Sequence, residues 1–285
     1  MSATDVELIS STAEMRERAA HLRSEGKRIG FVPTMGALHE GHLSLVTAAA
    51  KRADVVVVSV FVNPTQFGPT EDFASYPRDI ERDAALAEQS GCDILFVPTA
   101  REIYPDHYAT VVHVQKLTQK MCGAFRPGHF DGVTTVVAKL LNIVRPHFAV
   151  FGQKDGQQVA VIERMVEDLD MDVDIVRVPT VREPDGLALS SRNAYLSTEE
   201  RARATVLHEA LRHALSLYRS GIVTVPRVLD EMQTIIRGKE GVELQYCVAV
   251  DSRTLEDVSE LKAGVMIALA AFLGKTRLID NVVLK

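Results

Sequence analysis

The chain has 285 residues, 46% of them hydrophobic, with a formal net charge of -6; this is ordinary for a globular protein with one sizeable core or two domains. Neither that charge nor any local basic cluster gives attraction to phosphate backbones or anionic lipid, so nucleic-acid and membrane binding are disfavoured and a small-molecule partner is expected. The first ten residues include Asp5 and Glu7 and lack the basic start and apolar core of a secretory signal. The longest apolar run, Val265 to Leu273, falls short of the about 20 residues that span a bilayer. Cys92, Cys122 and Cys247 are widely spaced and odd in number, which excludes a Cys-x-x-Cys site and points to the cytoplasm.

Taken in chain order, the β-branched runs Arg28–Thr34, Asp54–Val62, Cys92–Pro98, His147–Gly152 and Val173–Thr180 predict buried strands. Periodic stretches at Leu43–Arg52, Ile80–Glu88, Val133–Val144 and Gln157–Leu169 predict helices between them. Strands alternating with helices imply parallel pairing with right-handed crossovers, hence an α/β fold with a Rossmann-like doubly wound parallel sheet. After Ser191 the pattern changes. Ser197-Thr198-Glu199-Glu200 is a capping-box start for a helix to about Arg219, followed by a helix over about Pro226–Arg237 and strands at Leu244–Val250 and Val265–Phe272. The expectation is therefore a nucleotide-binding domain over residues 1–180 and a smaller α+β lid domain over 181–285.

The strongest local signal is Pro33-Thr34-Met35-Gly36-Ala37-Leu38-His39-Glu40-Gly41-His42, between the first predicted strand and a helix starting near Leu43. Glycines let the backbone approach a phosphate, a helix N-terminus offers unpaired N–H groups, and two imidazoles three residues apart can face one anion. This is a triphosphate cradle. A zinc-protease His-Glu-x-x-His reading fails because position 43 is Leu43. Two further polar segments lie where ligands bind in such folds. Gly152-Gln153-Lys154-Asp155-Gly156-Gln157-Gln158 follows the fourth predicted strand and gives Lys154 reach to a phosphate; alone it is equally well an exposed turn. Residues 181–193, ending Ser190-Ser191-Arg192-Asn193, suit a mobile lid that brings Arg192 and two hydroxyls to a departing pyrophosphate; as a bare string it is a solvated loop.

These segments, with Phe61-Val62-Asn63-Pro64-Thr65-Gln66-Phe67-Gly68, Tyr76-Pro77-Arg78 and Arg126-Pro127-Gly128-His129-Phe130, resemble the pantothenate synthetase family in order and spacing through Asn193. The His-x-Gly-His element alone marks a wider nucleotidylyltransferase superfamily; the Asn63 and Arg126 strings narrow it. The resemblance implies an ATP-dependent ligase that joins pantoate to β-alanine through an acyl-adenylate, with Mg²⁺ as cofactor and a homodimer as the usual assembly. It implies ATP contacts by Pro33, Thr34, Met35, His39, Gly41, His42 and Lys154, with Ser190, Ser191 and Arg192 closing over the triphosphate. Gly152 and Asp155 fall on the ribose or adenine side, and Val181 and Leu189 near the base. His39, His42, Lys154 and Arg192 carry the catalytic charge. Gln66 and Gln158 bind the hydroxyls and carboxylate of pantoate, since an amide donates and accepts at once, while Met35, Phe61, Val133 and Val136 pack on its gem-dimethyl group. Asn63, Arg126 and His129 support the site, and Asp83 is implied as the magnesium ligand. Two positions depart from the family pattern: Gly156 stands where Tyr or another side chain is usual, and Leu189 where Met or Lys is.

Two rivals share parts of this signature. A nucleotidylyltransferase that keeps the nucleotide on its product would have the cradle without the Gln66 and Gln158 pair. A non-catalytic nucleotide sensor would bind ATP without releasing pyrophosphate, and both Lys154 and the Ser-Ser-Arg segment argue against it.

Overall fold

The computed structural model describes residues 6–69, 71 and 73–285; the leading Met1–Asp5, part of the signal-peptide argument, lies outside them. The chain divides into two compact units, one of Met1–Gly152 with Val161–Val178 and the other of Gln153–Ala160 with Pro179–Lys285. The sequence placed a single boundary near Thr180. The units divide after Val178 and also give the Gln153–Ala160 segment to the second unit.

The first unit holds a six-stranded parallel sheet: β1 (Glu7–Ile9), β2 (Ile29–Thr34), β3 (Val55–Val60), β4 (Ile94–Phe96), β5 (Phe148–Gly152) and β6 (Asp174–Val178), in the order β1-β4-β3-β2-β5-β6. Helices α1 (Thr12–Ser24), α2 (Glu40–Ala50), α3 (Ile80–Gln89) and α6 (His129–Val144) connect the strands, with short turns α4 (Ala100–Ile103) and α5 (Cys122–Phe125). The central strands are apolar on both faces because helices cover both; Val56, Val57, Val58 and Phe31 are all buried. The expected doubly wound architecture is found. The three-residue edge strand β1 and helix α1, capped by Ser11, were not anticipated, β1 being too short for a period of two to register. Strand order reverses between β2 and β5, and on such sheets the crevice at the carboxyl ends of the two strands is where ligands bind.

The second unit takes the start of α7 (Gly156–Asp168) and then α8 (Thr198–Ala204), α9 (Val206–Arg219) and α10 (Val225–Arg237), with an antiparallel sheet β7 (Val242–Asp251), β8 (Val265–Leu273) and β9 (Thr276–Val283). The capping box is made in both directions, Ser197 accepting from Glu200 N and Glu200 accepting from Ser197 N. The helix predicted to run from there to Arg219 breaks in two at Thr205. Its apolar stripe, Leu207, Leu211 and Ala214, packs in one core with Val228, Met232 and Ile236 of α10 and Ile267, Leu269 and Ala271 of β8.

Candidate active site

The turn leaving β2 is shaped by two consecutive left-handed residues, Gly36 at φ +82° and Ala37 at φ +51°. Thr34 Oγ1 donates to Ser59 O (2.7 Å) and accepts from Gly36 N (3.1 Å), tying the turn to β3. The amides of Ala37 and Leu38 donate to the two oxygens of Asp83, at 2.9 and 2.8 Å. His39 then caps α2: its Nδ1 accepts from Gly41 N at 3.1 Å, so in the neutral ring the proton sits on Nε2. The His39 and His42 rings lie 4.2 Å apart at 36°. Two imidazoles at the positive end of an eleven-residue helix are well placed for a phosphate.

After β3 the chain forms a second constellation. Asn63, 1% exposed, donates to Gln66 Oε1 (3.0 Å) and Gly132 O (3.1 Å), while its Oδ1 accepts from Thr65 and from the Tyr104 hydroxyl at 2.7 Å. Burial pushes the Tyr104 phenol up to about 12, so it stays a donor. The Gln66 amide is thereby oriented, and its Nε2 reaches Met35 Sδ at 3.2 Å, which brings the two constellations into contact. Gly132 is required where α6 meets this segment, because a Cβ there would lie 2.5 Å from Thr65 O. Phe61, Val133 and Val136 are buried apolar neighbours in the same unit.

The segment is clamped from its far side. Arg126 donates to both oxygens of Glu71, at 2.7 and 2.6 Å, and to Gln66 O at 3.4 Å. His129 Nδ1 lies 2.9 Å from the same carbonyl, with Nε2 3.0 Å from Arg126 Nη1; an acceptor at Nε2 and a donor at Nδ1 satisfy both contacts with a neutral ring. Burial acts to raise the Glu71 carboxyl, but the Arg126 hydrogen bonds and charge and the Gly68 amide together outweigh it and hold it below the ordinary carboxylate range.

Gly152 ends β5 in the first unit, and the second unit carries the remaining expected residues. Lys154 Nζ lies 3.4 Å from Asp155 Oδ1, and its main chain is fixed by Asn281, whose Nδ2 donates to Gln153 O (2.8 Å) and Lys154 O (2.9 Å). Gln158 is half-buried in the first turn of α7. Residues 181–189 form a braced hairpin, with Arg182 bridged to Ala188 and Leu189 N donating to Val181 O at 3.0 Å. Arg201 holds it by ion pairs to Glu183 and Asp185, and Arg182 by a pair to the buried Asp280. Ser190 Oγ accepts from Arg192 N at 3.3 Å, capping the turn that carries Ser191 and Arg192. Asn193 donates to Glu183 and to Ala188 O, so its amide serves the loop.

Residues 7–283 match the pantoate-beta-alanine ligase family. The chain belongs to that family. It is 53% identical over 278 residues to the pantothenate synthetase of Caldicellulosiruptor bescii, covering 98% of this chain and 99% of that one. Among solved structures it is similar to the pantothenate synthetase of Thermus thermophilus, with a TM-score of 0.92, 46% identity and coverage of 97% and 99%. It is also similar to a Francisella tularensis pantoate-beta-alanine ligase complexed with beta-gamma ATP and beta-alanine, with a TM-score of 0.80, 35% identity and coverage of 98% and 97%. The chain is accordingly an enzyme, a ligase of this family.

Within the ligase, Asp83 stands differently from its expected place as a magnesium ligand. It is 1% exposed and both oxygens are engaged by main-chain amides, whereas Mg²⁺ needs an accessible oxygen and an octahedral shell. Nor do three or more His, Cys, Asp or Glu side chains among the described residues form a group able to hold a metal. Asp83, clasped in this way, does not fit the single protein ligand that was expected. Gly156 is explained by packing: a Cβ there would lie 2.6 Å from Met266 Sδ and 2.9 Å from Gln153 Nε2. Leu189 contributes through its backbone. The sequence reading missed Glu71, Tyr104 and Asn281. Asp280-Asn281 was detectable as a polar pair inside an otherwise apolar run, while Glu71 and Tyr104 gave no local signal because their partners lie 55 and 41 residues away.

Proposed function

We propose that this ligase condenses (R)-pantoate with β-alanine to pantothenate, using ATP and releasing pyrophosphate and AMP through a pantoyl-adenylate. The observation that carries the reading is the contact between Met35 of the phosphate turn and Gln66, the amide assigned to pantoate; it supports an arrangement in which phosphate and carboxylate would meet as neighbours. The carboxylate oxygen forms a bond to the α-phosphorus as the α–β bridge breaks. No protein nucleophile is needed, since the substrate is already an anion. With His39 Nδ1 taken by Gly41 N and the His42 ring 4.2 Å away, these residues would act by orientation and charge stabilisation. Magnesium enters as the counter-ion of the triphosphate, a substrate complex, with no protein ligand assigned.

The ATP roles of Pro33, Thr34, Gly41, Gly152, Lys154, Asp155, Val181, Leu189, Ser190, Ser191 and Arg192, and the pantoate roles of Gln158, Phe61, Val133 and Val136, rest on the family resemblance. In the second step the β-alanine amine attacks the acyl carbon and AMP departs with the former carboxylate oxygen. A homodimer and a cytoplasmic address complete the proposal; sedimentation tests the former. The three thiols are all buried, and burial raises Cys92 and Cys247 to about 12, which suits thiols that play no redox part. In the test, purified protein with Mg-ATP and D-pantoate releases pyrophosphate, and forms AMP and pantothenate only when β-alanine is added. A folded sample with no pantoate-dependent pyrophosphate overturns the assignment.

A further inference from the structure

We propose that Asp83 is the positioning residue of the phosphate turn: its carboxylate occupies the amide concavity of Ala37 and Leu38 as an internal anion. The nucleotide is therefore met by what lies just beyond, the two imidazoles and the start of α2. This rests on the reading of the turn as the nucleotide site.

Successive main-chain N–H groups in left-handed or mixed conformations point to one side and form a concavity that binds anions. Gly36 and Ala37 are such a pair, at φ +82° and +51°. In many phosphate loops that concavity takes the ligand. Here the Asp83 oxygens fill it at 2.9 and 2.8 Å, on a side chain 1% exposed in the first turn of α3. The fit leaves no room for a side chain at position 36, where a Cβ would meet Asp83 Oδ2 and Val60 Cγ1, each at 2.8 Å.

Two consequences follow for the reaction. The turn keeps its phosphate-facing shape before any nucleotide arrives, because a buried anion supplied by α3 balances its amides. Small displacements matter here, since His39 caps α2 through Gly41 N, and a shift of the turn rotates the imidazole that must donate to phosphate. Asp83 is 1% exposed with its oxygens turned to Ala37 and Leu38, and it acts through them. An Asn in its place offers one acceptor and turns an NH₂ against the second amide, whereas a metal ligand changed to Asn would lose affinity for the ion.

The test has two arms. In the first, Asp83→Asn is assayed for pantoate-dependent pyrophosphate release against ATP and against free Mg²⁺. The expected result is a fall in kcat/KM for ATP of about tenfold to a hundredfold, with the half-saturating Mg²⁺ unchanged within about twofold. A raised Mg²⁺ requirement, with activity recovered at high Mg²⁺, or activity within about twofold of the parent, overturns the proposal. The second arm needs no variant and no activity. Amide hydrogen exchange of the unmodified protein without nucleotide is expected to show Ala37 and Leu38 protected, with no gain on saturation by ATP. Exchange as fast as in exposed loops, or protection appearing only with ATP, overturns it. If the parent protein releases no pyrophosphate, the functional reading fails while this second arm still reports on the clasp.

Discussion

Two loops leave neighbouring strands of one parallel sheet, and they are held by opposite means. The turn after β2 is gripped by a buried carboxylate that accepts from its amides. The segment after β3 is gripped at a main-chain carbonyl by Arg126 and His129, which Glu71 steadies, with the Arg126 and Glu71 side chains 16% and 26% exposed. A carboxylate sealed from water is barely screened, whereas a partly exposed ion cluster weakens with salt. The turn after β2 should therefore be stiff across salt concentrations and the segment after β3, proposed to face pantoate, responsive. The proposed assignment matches that division: the triphosphate is common to many enzymes, while the acid substrate is what this one must select.

The largest expected effect lies on the stiff side. On the proposed assignment, replacing His39 or His42 by Ala should lower turnover about 10²–10³-fold; the melting temperature should stay within a few degrees, as both rings are half-buried. Wild-type turnover in both variants would separate the turn from the chemistry. Gly36→Ala tests the same loop through stability. A left-handed Ala combined with contacts at 2.8 Å should cost about 2–4 kcal/mol in urea unfolding.

On the responsive side, Asn63→Ala removes a buried hub of hydrogen bonds that orients Gln66. A loss of about 10–100-fold in kcat/KM for pantoate, with KM for ATP little changed, is expected. Glu71→Gln should be milder, about 3–30-fold in KM for pantoate, and the gap should narrow in 1 M salt as the parent's own clamp is screened. The pH dependence follows in sign. The folded Glu71 carboxyl lies below its ordinary value of about 4.3, so its contribution is complete above that value and lost as pH falls through the lower, folded one. The Glu71→Gln variant should accordingly lack the acid limb expected in the parent's pantoate KM. Tyr104→Phe is the smallest change, about 1 kcal/mol of stability, because Thr65 still donates to Asn63 Oδ1.

The contrast also marks what could be read from the chain alone. The doubly wound sheet was legible because its strands are β-branched and buried on both faces, and the phosphate turn because its glycines, histidines and helix are contiguous. The tasks of Asp83, Glu71 and Asn193 were not. Asp83 sits in an ordinary amphipathic helix pattern, and only folding reveals that its carboxylate meets amides 46 and 45 residues upstream. Residues 181–193 read as a lid because they are polar; the braces of the hairpin join Arg182 to Asp280 and Arg201 to Glu183, 98 and 18 residues apart in the chain, beyond any local pattern. The edge strand β1 and the terminal strand β9 escaped for a simpler reason. One has three residues, and the other carries Arg277, Asp280 and Asn281 among its apolar residues.

The most direct test of the two-step reaction follows an oxygen atom. Pantoate labelled with ¹⁸O in its carboxylate is turned over with ATP and β-alanine, and the AMP is weighed by mass spectrometry. If pantoate attacks the α-phosphorus and the amine then displaces AMP from the acyl carbon, one labelled oxygen appears in AMP. Unlabelled AMP alongside pantothenate, or ADP and phosphate as products, would contradict the acyl-adenylate route.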